Sequence, residues 1–525
     1  MQFQEGHTVG IDLGTTFSCI ARLDEQGNPT PIANEDDDVE TASLILLTES
    51  GHVVVGPNRM RAAMEEPDNV VERVKRHMGE SEFQRTFDGR EITPEFLSAL
   101  ILKKLRRDTE RRIGKIGNAV ITVPYYFNDA RRKATQDAGR IAGLNVIDII
   151  NEPTAATLTY AWHRGELGRG DWGEDTPRVV LVYDLGGGTF DVTVVQYTPT
   201  HFRVLATDGD VHLGGVDWND RLLNHVAEEF KNRHGVDPRQ SAAAVQMLRN
   251  DCDLAKLELT DQPQTTITFR HEGRGVSVTV TREQFETMTA DLLQRTADTL
   301  ELVCEQAGVL PGALDAVVLV GGSTLMPQVP RMLERLTGQP PYTGISPHTS
   351  VAQGAAIHAA MLEIKHGGEQ SALSEKVRKM LASVRQENVN SHGLGILVTH
   401  PKTGKEVNHL MIRRNTPLPV EVTRTFRTNS ENQQRVTVRV IEGDAPDPRA
   451  CSYLGKCRIT DLPENLAKGT PIEVTYRFDA SGRIMVEARE MSSGSKAQTH
   501  IERRGGLDDS KIDAYTRLAN DYQVE

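Results

Sequence analysis

Two short segments of the chain repeat one another, and this repeat restricts the fold more than any other feature. Val9-Gly10-Ile11-Asp12-Leu13-Gly14-Thr15-Thr16 and Val182-Tyr183-Asp184-Leu185-Gly186-Gly187-Gly188-Thr189 each run an apolar strand into an Asp, turn on glycine and reach Thr. Each then returns as a second strand, over residues 17–21 and 190–195. Both read as β-hairpins with polar, glycine-permitted tips. The two aspartates stand about one domain length apart, so the simplest architecture is two similar halves facing one cleft.

The remaining pattern supports α/β halves. Residues 118–123 read as a strand ending at Pro124, and residues 129–142 as a helix with Asn128 or Asp129 as N-cap and Gly143 beyond its end. Residues 315–320 form a short buried strand running into Gly321-Gly322-Ser323-Thr324, and the Ala-rich stretch 350–361 is a helix. Strands alternating with helices indicate α/β architecture. Past about residue 365 the pattern changes. Residues 365–390 are polar and charged, a linker with one short helix. From 394 to 501 the runs are short and alternating, as at 434–441, 472–478 and 484–489, with a turn predicted at 479–482. This is a compact all-β domain. Asp508-Asp509-Ser510 opens a last helical stretch to Tyr522. The expected division is 1–364, 365–393, 394–503 and 504–525.

Composition narrows the class. A chain of 525 residues suggests three or four domain-sized units and needs no disulfide or metal staple. With 60 Lys and Arg against 73 Asp and Glu, the net charge of −13 opposes bulk binding to nucleic acid or anionic membrane. Cys19, Cys252, Cys304, Cys451 and Cys457 are scattered without metal-ligand spacing and read as reduced thiols. The N-terminus lacks the basic and apolar regions of a signal peptide, and no apolar run is long enough for a membrane span. A cytoplasmic protein is expected.

Gly-rich tips flanked by Thr hydroxyls bring backbone N–H groups against phosphate oxygens, because no Cβ blocks the approach. Two facing tips would grip a polyphosphate from both sides. Asp12 and Asp184 would then lie near the phosphates, where a carboxylate needs a cation between, and hydrated Mg²⁺ suits that ligand set.

IDLGTT, VITVPYYFNDARRKATQDAGRIAGL, INEPTAAT, YDLGGGTFDVT, HLGG and VVLVGGST together resemble the heat-shock protein 70 (DnaK-like) chaperones. The resemblance covers residues 8–360 nearly continuously. It resumes at RRNTPLP, FRTNSENQQRVTVRVIEGD and IEVTYRFDASGRIMVEARE. It implies an actin-like ATPase of two ribonuclease-H-like lobes followed by a β-sandwich that clasps peptides. It also implies roles. Asp12, Gly14, Thr15, Thr16 and Phe17 match the first phosphate loop, and Gly186, Gly187, Gly188 and Thr189 the second. Lys75, Glu152, Asp184, Asp12 and Thr189 match catalytic positions, with Asp12 and Asp184 holding Mg²⁺ mainly through water. Asp253, Lys256 and Thr260 match the ribose side, and Gly321, Gly322, Ser323 and Leu325 the rest of the nucleotide pocket. Pro124 and Arg132 match positions linked with interdomain signalling. Ile396, Phe426, Val436 and Val438 match the peptide pocket, although alternating apolar residues are also what any β core shows. ATP/ADP and Mg²⁺ are the implied cofactors, with K⁺ a further candidate. Unfolded or extended apolar peptides, a J-domain co-chaperone and a nucleotide exchange factor are the implied partners, with no nucleic acid or membrane.

Several stretches depart from the family pattern. Leu257 and Leu325 stand where many members place arginines that sandwich adenine, and Val216 replaces an acidic residue. The loop 399–409 is longer and more polar than the family's apolar arch. Residues 384–388 (VRQEN) carry one apolar residue where the family has a leucine-rich strand ending in Asp, so weak docking of the linker on the ATPase is expected. Glu525 falls inside the first helix of the family's helical lid. The leading reading is an ATP-dependent chaperone. A non-hydrolysing nucleotide-gated adaptor, or an exchange-factor-like partner of another chaperone, is the alternative. A metabolite kinase on the same fold is opposed by NEPTAA and the β domain.

Overall fold

The computed structural model describes residues 3–48, 52–56, 67–80, 83, 85–87, 89–168, 176–366, 373–400, 402–460, 462–463, 466–478, 484–491, 494–501 and 507–525. The predicted turn at 479–482 lies outside them. The first hairpin is formed by β1 (His7–Asp12) and β2 (Phe17–Leu23), paired antiparallel. On its other side β1 runs parallel to β3 (Ile116–Val123), and β3 runs parallel to β4 (Val146–Asn151). Helices α1 (Pro94–Ile113) and α2 (Asp129–Ile141) join the apolar cluster on one face of this sheet. Asn128 is the N-cap of α2, accepting from the Arg131 N–H at 3.1 Å. α3 (Glu152–His163) packs with the opposite face, where Val120 points. With both faces covered, β3 is buried throughout, as a parallel strand should be.

The second half repeats this plan. β5 (Arg178–Leu185) pairs antiparallel with β6 (Phe190–Thr198), which pairs with β7 (His201–Asp210). The helices α4 (Gly215–His234) and α5 (Ala242–Asp261) cover one face. β8 (Ala316–Val320) lies parallel to β5. The other face joins α3 and α6 (Ser350–Lys365) in a core shared by both lobes. That shared core fixes the lobes against one another and sets the cleft between them.

After the short helix α7 (Glu375–Ala382), the linker departs from expectation. β9 (Arg385–Glu387) docks as a parallel edge strand on β7, opposite His201, Phe202 and Arg203. A backbone ladder does not depend on side-chain hydrophobicity, and the apolar contribution comes from the flanking Val384 and Val389, both buried. The polar side chains find polar partners. His201 Nε2 lies 3.2 Å from Glu387 Oε1, and Gln386 Nε2 lies 3.1 Å from His358 Nδ1.

The β domain is a sandwich. One sheet contains β10 (Leu394–Thr399), β11 (Glu406–Ile412), β13 (Val436–Glu442) and β14 (Ser452–Ile459), in the order β11-β10-β13-β14. The other contains β12 (Val420–Arg427), β15 (Pro471–Phe478), β16 (Ile484–Glu490) and β17 (Lys496–Ile501), in that order. Alternate residues of both sheets form one core, and Tyr476 donates across it to the Gly395 carbonyl at 3.0 Å.

The final helix, α8 (Asp509–Asp521), is capped by Asp508 as expected, but the chain leaves it before Glu525. Gln523–Val524 pairs in parallel with His52 and Val53 of the first lobe. Ile512, Leu518, Ala519 and Tyr522 are buried in that lobe's core, while Lys103 bonds the Ala519 carbonyl and Arg107 that of Val524. The segment thus packs on the first lobe, a placement that its local sequence does not encode.

Candidate functional site

The two hairpin tips meet across the cleft. A Cβ on Gly187 would lie 1.8 Å from Thr16 Oγ1, and one on Gly188 would lie 2.3 Å from Thr15 Cγ2, so any side chain there would have to displace the facing threonines. Asp12 ends β1, and its Oδ1 accepts from Thr122 Oγ1 at 2.9 Å. Asp184 comes from β5, and Glu152 opens α3 directly after β4. Lys75 sits in a single 3₁₀ turn, Val74–His77, and its Nζ donates to Glu152 Oε1 at 2.6 Å; both side chains are only 6% exposed.

These groups surround a cavity of about 700 Å³. Every predicted catalytic and cofactor residue lines it except Gly188, whose carbonyl accepts from Arg76 Nε at 2.8 Å. The carboxylates share one cation. Burial, reinforced by the Glu152 charge, raises Asp12 to about 7, and the same causes push Asp184 well above the usual carboxylate range. Burial opposes the charge on Lys75, but Glu152 and Asp12 outweigh it and hold the ammonium above its ordinary value. The cleft therefore has surplus negative charge that a bound cation would relieve. Thr15 Oγ1 is buried there with no hydrogen-bond partner. A phosphate oxygen fits this unused donor and the glycine cradle, and a hydrated divalent cation fits the carboxylates. Among the described residues, no group of three or more His, Cys, Asp or Glu is arranged to hold a metal directly.

The second lobe supplies the other end. Asn219 bonds Asp253, Lys256 Nζ donates to the Gly215 carbonyl at 3.3 Å, and Thr260 Oγ1 donates to the Lys256 carbonyl at 3.3 Å. Gly321, Gly322 and Ser323 follow β8, and Ser323 Oγ donates to the Gly186 carbonyl at 2.9 Å. Leu257 and Leu325 also line the cavity and are 63% and 47% exposed, leaving apolar surface open at its wall. Val216 lies in the lining as well.

Arginine contacts bind the lobes around this cavity. Arg73 makes a bidentate pair with Asp220, both bonds at 3.1 Å, Arg76 reaches Asp217, and Arg249 reaches Glu72. Sequence reading missed all three, because each joins residues far apart in the chain. Asp191 was missed as well. Its Oδ2 accepts from the Tyr125 N–H at 3.0 Å, immediately after Pro124. The Asp in FDVT, seven residues past the hairpin Asp, was the available signal. Arg132 bonds Asn151 Oδ1 and the Ile149 carbonyl at 3.2 Å, so it clasps the strand leading to Glu152.

In the β domain, Ile396 and Val438 are buried in the core and Phe426 and Val436 pack half-buried against it. The exposed His409 meets the Phe426 ring edge-on at 5.3 Å. All five cysteines are free, and among the described residues no helix is long and apolar enough to cross a membrane.

The comparisons agree with this architecture. The family profile described as Hsp70 protein matches residues 8–525. The proteins named Chaperone protein DnaK from Halobacterium salinarum strains R1 and NRC-1 are each 39% identical over 513 residues, covering 96% of this chain and 76% of the relative. A match over nearly the whole length, with the two-lobed cleft and the β-sandwich both present, leads to one conclusion: this chain belongs to the Hsp70 family of chaperones.

Proposed function

We propose that the chain hydrolyses ATP to ADP and phosphate in this cleft, and that the cycle controls the β domain's hold on short, extended, apolar segments of unfolded proteins. The observation that carries the reading is the buried Lys75–Glu152 pair, set beside Asp12 and Asp184 between two facing glycine tips. Phosphoryl transfer needs positioned positive charge more than a strong base, and Lys75 supplies it. The backbone N–H groups of the two tips hold the phosphates, while Thr15 and Thr189 offer hydroxyl donors. Glu152 orients the Lys75 ammonium. Mg²⁺, held mainly through water by Asp12 and Asp184, would neutralise phosphate charge when bound, and K⁺ is a second candidate ion. Ile396, Phe426, Val436 and Val438 form the peptide pocket in this reading. A J-domain protein and a nucleotide exchange factor in the cytoplasm are its natural partners.

Single-turnover hydrolysis, measured with and without an unfolded apolar peptide, tests the proposal. Lys75→Ala should retain nucleotide binding and lose hydrolysis by about 10²- to 10³-fold, and peptide should accelerate the unmodified protein. The apolar wall at Leu257 and Leu325 favours a second reading, a nucleotide-gated adaptor. Binding without hydrolysis in the unmodified chain would select it.

A further inference from the structure

Charge is unevenly spread along the chain. Residues 394–501 hold 16 Lys and Arg against 12 Asp and Glu, within a protein whose net charge is −13. Ion pairing leaves that excess in place, because among the described residues it occupies bases as well as acids, Arg414 being held by Asp208 of the second lobe. Glu406 pairs with Arg439, Glu421 and Glu487 both reach Arg477, and Asp447 pairs with Arg449. Asp444 accepts from the Gly393 N–H at 3.2 Å, and Glu490 is fully buried.

Four of the cations without an acid partner among the described residues stand beside one feature. Lys402 and Lys405 are exposed in the loop joining β10 to β11, and Arg427 and Arg435 are exposed at the two ends of the loop joining β12 to β13. Those two loops adjoin the apolar cluster. Ile396 precedes the first on β10, while Phe426 and Val436 flank the second. His409 stands opposite Ile396 in the ladder and against the Phe426 ring. On the outer row of the same sheet, Arg458 lies opposite Thr437, and Lys456 opposite Arg439. The acids at these loops are Glu406, which opens β11 and pairs with Arg439, and Glu431.

An apolar centre inside a cationic rim is complementary to an extended segment with the inverse pattern. We infer that the β domain selects segments in which an apolar residue is flanked by Asp or Glu, and that it disfavours Lys- and Arg-flanked segments. This rests on the peptide-binding reading above. A peptide is favoured over a nucleic-acid strand because the Phe426 ring at the centre is half-buried and met edge-on by His409, which leaves no run of open aromatic faces for successive bases, and because the chain as a whole is acidic. The rim charges are exposed, so the preference acts through screened, medium-range attraction and weakens with salt.

The test uses the full chain with ADP and three fluorescent peptides sharing one Leu-rich centre, flanked by Glu, Ser or Lys. The expected order of affinity is Glu, then Ser, then Lys, with about tenfold between the extremes in low salt and convergence at high salt. The charge-reversed variant Lys402→Glu, Arg435→Glu should invert the order, an outcome that a misfolded variant would not give. Equal affinities, or tighter binding of the Lys-flanked peptide, would overturn the inference while leaving peptide binding intact. Failure of all three peptides would overturn the peptide-binding reading and the preference with it. A single-stranded oligonucleotide that binds as tightly as the Glu-flanked peptide, and is not displaced by the Ser-flanked one, would reassign the patch to nucleic acid.

Discussion

The two hairpins are built on the same plan and end in different places. In the first, Asp12 stands opposite Cys19; in the second, Asp184 stands opposite Asp191. Cys19 is sealed in a small apolar cluster with Ala21, Ala352 and Ala356, and burial pushes its thiol far up. Asp191 is also buried, and burial with the Glu152 charge raises it, but it reaches out of its lobe to the Tyr125 N–H. The Tyr125 hydroxyl in turn donates to the Val389 carbonyl and accepts from the Val389 N–H, each at 2.9 Å. One hairpin therefore ends in packing, while the other is connected through two hydrogen-bonded steps to the linker. A duplicated element can keep its ligand-binding tip and acquire a separate role at one position on its returning strand.

The largest test of this contrast lies at the tips. A Cβ on Gly14 would fall 1.9 Å from the Phe17 carbonyl oxygen, which is backbone, whereas one on Gly187 meets the Thr16 side chain, a hydroxyl that can rotate and a Cβ at 2.8 Å. Gly14→Ala should therefore cost about 3 kcal/mol or more and Gly187→Ala less, since overpacking against a fixed atom is the harder to relieve. Thermal unfolding without nucleotide measures both, and equal losses would show that the tips are mechanically equivalent. The next effect concerns the connection to the linker. Tyr125→Phe leaves a buried N–H and carbonyl of Val389 without their partner, at about 1–3 kcal/mol. Trypsin cleavage after Arg385 should then accelerate by roughly fivefold or more, because proteolysis follows the open population. Cys19→Ala should leave that rate unchanged, and an equal acceleration would break the comparison. The smallest effect separates the lobes by ligand contact. Leu325 belongs to the second lobe, and Leu325→Arg should tighten ADP binding about threefold through guanidinium stacking on the base. Calorimetry reads this directly, and an unchanged dissociation constant would show that the base does not lie against Leu325.

Much of the core architecture is legible in residue order. The hairpins, the β3 strand before Pro124, the Asn128 cap and the alternating strands of the β domain all rest on local periodicity and turn chemistry. The linker shows where such reading stops. Judged by side chains, VRQEN is too polar to dock, yet β9 docks because the exposed edge of β7 supplies hydrogen-bond partners that no local pattern reveals. The arginines of the cleft were missed for a related reason. Arg73 and Arg76 look like solvated cations until the second lobe brings Asp220 and Asp217 to them.

By itself, the sequence determined the duplicated strand–Asp–Gly–Thr tips, the change from α/β to all-β near residue 365 and the surplus of acid over base, since all three depend on neighbours within a few residues. Only the tertiary structure decided that Lys75 is a buried partner of Glu152, that Asp191 reaches the linker through Tyr125, and that α8 with residues 523–524 joins the first lobe. Those outcomes depend on which distant surfaces come into contact. Burial then converts ordinary side chains into perturbed charges and shared hydrogen bonds, an effect that operates through space and leaves no periodic trace along the chain.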